Sequence, residues 1–178
     1  ELTVKGGTSH IVEYFGPGAS SISCTGKGTI CNMGAEVGAT TSLFPFDTSM
    51  SRYLDATGRS GVSELANKNL SLLVSDPEVS DNPEKFYDRI IEINLSELEP
   101  MIVGPHSPDI ARSVSELGAE AKDRGWPTDI KAALIGSCTN SSYEDMERAA
   151  SVARQAKEAG IKSKVQFMVT PGSDTIDQ

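Results

Sequence analysis

The chain has 178 residues, 38% of them hydrophobic and 23% charged, a mixture that suits one soluble globular domain or one and part of another. A net charge of −9 excludes nucleic-acid binding driven by charge, which needs Lys and Arg to neutralise phosphates. Three cysteines in no dense pattern exclude a disulfide framework and fit reduced thiols.

No apolar run approaches the roughly 18–20 residues of a membrane helix. No basic, apolar or amphipathic leader is visible, and a sequence opening on Glu1 reads as an excerpt of a longer one. In chain order, Leu2–Lys5 and Ile11–Phe15 are short β-rich runs followed by glycine turns. Ser20 or Ser21 is expected to cap a Gly-rich segment from Ile22 to Val37, ended by Gly38. Thr40–Pro45 resembles a strand. Asp47 or Thr48 can cap a helix through Leu54, and Ser60 or Ser63 can start another through Leu73. Acidic Ser75–Lys85, with Pro77 and Pro83, reads as a surface loop.

Ile90–Leu95 predicts a strand, and Pro100 marks a domain boundary, giving domains 1–99 and 100–178. Beyond it, Ser113 with Glu116 has capping-box spacing before a helix that Gly125-Trp126-Pro127 stops. Ile130–Ile135 predicts a buried strand, Tyr143–Ala159 a helix with Ser141 and Glu144 as its capping box, and Lys164–Thr170 a strand. The fold class is therefore α/β, with mixed or parallel sheets in layered domains and a βαβ unit at about 130–170.

Chemistry concentrates at Gly136-Ser137-Cys138-Thr139-Asn140-Ser141-Ser142, between the buried strand and the helix. A turn there would leave the Cys138 thiol at the carboxyl edge of a sheet, where backbone N–H groups and a helix N-terminus favour an anion. The residues themselves leave four readings open: an inert buried thiol, a nucleophile, a metal or cluster ligand, or a phosphate-binding turn. The nucleophile wants a base, and the only histidines, His10 and His106, are far off in sequence. Asn32 and Glu36, spaced i and i+4, would share one face of a helix. Cys24 and Cys31 are seven apart, too far for short metal-ligand spacings, and read as packing residues. Gly26-Lys27-Gly28-Thr29 fails as a P-loop, because no glycine stands at the earlier required position and Gly28, not Ser or Thr, follows the lysine.

Leu134 to Met146 resembles the first cluster-cysteine motif of the aconitase family. Ser21 to Gly26 and Thr29 to Ser42 resemble that family's second-domain signature, and Glu92 to Leu98 and Thr170 to Ser173 also match. Ser141 to Met146 and Asn32-Met33-Gly34 are similar to the mitochondrial type. The resemblance implies a hydro-lyase that interconverts citrate and isocitrate through cis-aconitate on a [4Fe–4S] cluster, in a monomeric enzyme of the mitochondrial matrix. Under it, residues 1–99 correspond to the second domain and 100–178 to the start of the third. Cys138 would be one of three cysteine ligands to the cluster, Glu36 would hydrogen-bond the substrate hydroxyl, and Asn32 would lie beside the cluster. The two remaining ligands, the catalytic serine, the substrate-binding arginines and the active-site histidines have no counterpart here, so this polypeptide alone is expected to be inactive. The alternatives are an aconitase-like interaction module without catalysis, and a hydrolase or transferase that uses Cys138.

Overall fold

A computed structural model describes residues 2–136 and 138–177. The chain divides into two compact units, Glu1–Ala111 and Arg112–Gln178.

In the first unit a 3-10 turn, Thr3–Lys5, leads to β1 (Ile11–Glu13), α1 (Pro17–Ser21) and α2 (Cys24–Met33). Then follow β2 (Thr41–Leu43), α3 (Thr48–Ala56), α4 (Ser60–Lys68), α5 (Pro77–Asp81) and β3 (Met101–Val103); β4 (Ala111–Ser113) runs across the boundary in sequence. β1 and β2 pair in parallel, with Ile11 opposite Thr41 and Glu13 opposite Leu43, and α2 is the crossover between them. Tyr14 stacks on Phe44 with centroids 4.5 Å apart, which extends the contact one residue past each strand. α3 and α4 are joined by hydroxyls: Ser51 and Ser63 Oγ atoms lie 2.7 Å apart, and Asn67 Nδ2 donates to Ser51 Oγ at 2.9 Å.

The second unit contains α6 (Val114–Asp123), β5 (Ala132–Ile135), α7 (Tyr143–Glu158), β6 (Gln166–Val169) and α8 (Asp174–Asp177). β5 and β6 are parallel, Ala132 opposite Gln166 and Ile135 opposite Val169, so the expected βαβ unit is present. Arg112 is buried and forms an ion pair with Glu120, which also accepts from Arg124 Nε at 2.8 Å. Both guanidinium carbons lie over the Trp126 ring, at 5.0 and 5.5 Å.

Several local expectations are corrected. Leu2–Lys5 is a 3-10 turn and not a strand. The Gly-rich helix starts later and stops earlier than Ile22–Val37. Ile22 is extended, Ser23 caps α2 by accepting from Gly26 N, and the helix ends at Met33. Ser75–Lys85 is not all loop, because Pro77 and Pro83 each begin a short helical turn. Ile90–Leu95 forms no strand. Its Leu95 packs so closely on Gly18 that an added Cβ there would lie 2.9 Å from Leu95 Cδ1, so side-chain packing replaces a ladder. β5 is half exposed and not buried, as one of two strands in its sheet. Among the described residues no hydrophobic side chain reaches full burial; the buried polar ones are Lys27, Ser63, Arg112 and Ser141.

Candidate functional site

The Cys138 turn is built by two glycines and a carbonyl. Gly136 directly follows β5, and few side chains tolerate its φ of +134°. A Cβ on Gly136 would lie 2.3 Å from the Thr170 carbonyl oxygen, which closes the space at the end of β6. Thr170 N donates to Ile135 O at 2.9 Å, and Gly172 N donates to Ser141 O at 3.0 Å. The segment 136–142 is thus held at both ends against 170–172. Between them Cys138 is exposed, its Sγ 3.6 Å from Thr139 Oγ1. Ser137 lies outside the described residues.

The capping box sits one residue later than the Ser141/Glu144 spacing suggested. Ser142 Oγ accepts from Asp145 N at 3.3 Å, and the Asp145 carboxylate accepts from Ser142 N at 3.2 Å. The shift has a cause: Ser141 is buried, and its carbonyl is engaged by Gly172 N. The first turn of α7 is therefore served by its own cap and its own acids, with Cys138 ahead of it in the chain.

Asn32 and Glu36 are both exposed, but they do not share a helix face. Asn32 lies near the end of α2, and Glu36 lies in the following turn, where Glu36 N donates to Met33 O at 3.1 Å. Gly34 makes this turn possible. It is buried, and a Cβ on it would lie 2.3 Å from Ser42 Oγ on β2. Gly38, with φ of +78°, closes the turn, and Gly7 N holds it by donating to Val37 O at 2.8 Å. The turn brings Asn32 and Glu36 to the same end of α2. They belong to the first unit and Cys138 to the second.

Across residues 1–178 the sequence matches the Aconitase family (aconitate hydratase). The chain belongs to the aconitase family. Among curated relatives, "Probable aconitate hydratase, mitochondrial" of Caenorhabditis elegans is 59% identical over 175 residues, covering 98% of this chain and 22% of the relative. "Aconitate hydratase, mitochondrial" of Gracilaria gracilis is 56% identical with the same coverage, and that of Schizosaccharomyces pombe is 54% identical over 21% of its length. The chain thus spans about a fifth of the length of the curated relatives it matches.

Set against the cluster that the aconitase family implies, the donor set is incomplete. Among the described residues no group of three or more His, Cys, Asp or Glu side chains could hold a metal ion. The exposed Cys138 thiol fits one thiolate ligand and no more. Cys24 and Cys31 are half-buried, and burial pushes both thiols above their usual range. His10 and His106 both lie in the first unit, and His10 Nδ1 is 2.8 Å from the carbonyl of Thr8 in its own loop. In iron-free protein near neutral pH, iodoacetamide is expected to label Cys138 several-fold faster than Cys24 or Cys31. Peptide mass spectrometry reads the order, and equal rates at the three thiols would contradict this placement.

Local pattern does not disclose two features of this region. Lys27, in no P-loop, is buried in an ion pair with Asp47. Gly136 and Gly172 carry the Cys138 turn. The signal for the first was a lysine inside a small-residue helix; for the second, glycine directly after one strand and soon after the other.

Proposed function

We propose that this chain is part of an aconitate hydratase, a hydro-lyase that interconverts citrate and isocitrate through cis-aconitate in the mitochondrial matrix. In this reading residues 1–99 form a second-domain-like region and 100–178 the start of a third, within a monomeric enzyme. The observation that carries it is the family match along the whole chain; the exposed Cys138 on its glycine-built turn supports it, in the stretch that resembles a cluster-cysteine motif. Cys138 would supply one thiolate to a [4Fe–4S] cluster whose other two cysteine ligands lie outside this chain. When bound, such a cluster supplies a Lewis-acidic iron for a hydroxyl that leaves poorly by itself.

The chain's own residues contribute binding and orientation. The Glu36 carboxylate, exposed on its turn, is an acceptor for the substrate hydroxyl, and the Asn32 amide offers a donor and an acceptor at the same end of α2. Holding such groups in place before substrate arrives is what lowers the barrier.

The test uses the full-length protein that contains this segment. The parent should convert citrate and isocitrate to cis-aconitate, read by ultraviolet absorption of the conjugated product, and Cys138→Ser should reduce turnover to background. A Cys138→Ser enzyme with parental turnover would overturn the assignment. The 178-residue chain alone, incubated with iron and sulfide, is expected to show neither cluster absorption nor turnover.

A further inference from the structure

An amphipathic helix is ordinarily fixed by a buried apolar stripe, and α2 has none. Cys24, Ile30 and Cys31 are half-buried, Gly26 and Gly28 offer no side chain, and the one buried residue is Lys27, at 3% exposure. Its ammonium forms an ion pair with Asp47, donates to Ser49 Oγ at 3.1 Å, and lies 5.9 Å from the Phe44 ring centroid. Asp47 is itself immobilised as the cap of α3. Its Oδ1 accepts from Ser49 N at 3.0 Å, Met50 N at 3.1 Å and Ser49 Oγ at 2.7 Å, which leaves Oδ2 aimed at Lys27. The lysine of α2 therefore meets an acceptor with no freedom to follow it.

We propose that the Lys27–Asp47 pair is a positioning device that sets the rotation and register of α2, and through it the placement of Asn32 and the Glu36 turn. Buried ion pairs stabilise little compared with apolar replacements, and setting register is their best-attested use. Lys27 and Asn32 are five residues, or about 7.5 Å, apart along one continuous helix, so a rotation at one is a rotation at the other. A second feature requires that phase. Beyond the helix, Gly34 packs closely on β2, where an added Cβ would lie 2.3 Å from Ser42 Oγ and 2.9 Å from the Cys31 carbonyl oxygen, so the end of α2 is seated against that strand. The catalytic consequence rests on the aconitase reading; the positional claim does not.

The experiment is made in the full-length protein with Asp47→Asn and with the double variant Lys27→Met/Asp47→Asn. Asparagine keeps the cap of α3, and the double variant leaves no buried charge unpaired, so its melting temperature should stay near the parent's. Hydrogen exchange at residues 29–38 is expected to rise about tenfold in the double variant, with α3 and α4 unchanged. Turnover is expected to fall about tenfold or more at unchanged KM. Parental exchange at 29–38 in the double variant overturns the proposal; if that variant does not fold, parental exchange in Asp47→Asn does so. Raised exchange with parental turnover overturns the catalytic consequence alone. A parent without hydro-lyase activity overturns the functional reading, and the exchange measurement still decides the positional claim.

Discussion

Gly136→Ala is expected to destabilise the second unit by about 2–5 kcal/mol, the sum of backbone strain and overpacking. Both causes are visible at the residue. Its φ of +134° lies where a side chain is strained in any surroundings, and the new methyl carbon would be placed 2.3 Å from the Thr170 carbonyl oxygen. That oxygen belongs to backbone held by the bond from Thr170 N to Ile135 O, so it cannot swing aside as a flexible side chain would. The ends of β5 and β6 would have to part, and the Cys138 turn would lose its anchor. Urea unfolding with a probe near Trp126, in the same unit, reads the effect. A loss below about 1 kcal/mol would mean that the turn relaxes freely and does not hold the thiol in one place.

Lys27→Met is expected to cost the first unit about 1–3 kcal/mol near neutral pH, because it leaves the half-buried Asp47 carboxylate without its counter-ion. The pH dependence identifies the origin. Burial by itself would raise the Asp47 carboxyl. Hydrogen bonds from Lys27, Ser49 and Met50 N, with the charge of Lys27, outweigh it and hold the group below the usual carboxylate range. A depressed folded-state value contributes stability that is present above the unfolded value of about 3.9 and is lost as pH falls through the folded one. The gap between parent and Lys27→Met should therefore be widest near pH 7 and should narrow as the pH falls below about 4. Denaturant unfolding across that range is the measurement. A gap that does not change with pH would assign the loss to packing of the lysine stem and not to its charge.

Much of the architecture was legible in local pattern. Local composition marked the strands at β2 and β6. Asp47 and Thr48 were both open as the cap of α3, and Asp47 serves; the apolar spacing of Tyr143, Met146, Ala149 and Ala150 marked α7. Where the reading slipped, a long-range partner had decided. Ser141 and Ser142 are chemically equivalent caps, and only the contact with Gly172 selects the second. Ile90–Leu95 has the composition of a strand but found no ladder, and Leu95 was taken up by Gly18. The i, i+4 spacing of Asn32 and Glu36 could not reveal that the helix stops between them, at Gly34, which packs closely on Ser42 of β2.

The sequence by itself determined the family, through long stretches around Cys138 and from Ser21 to Ser42 that match along the whole chain. It also determined the candidate residues Cys138, Asn32 and Glu36, because motif identity is a property of the order of residues. Only the tertiary structure decided that Cys138 stands exposed on a turn beside Gly136 and Gly172, that Asn32 ends a helix while Glu36 lies in the turn after it, and that a lysine in a glycine-rich helix is buried against Asp47. These depend on which backbone approaches which across tens of residues, and no local periodicity carries that information.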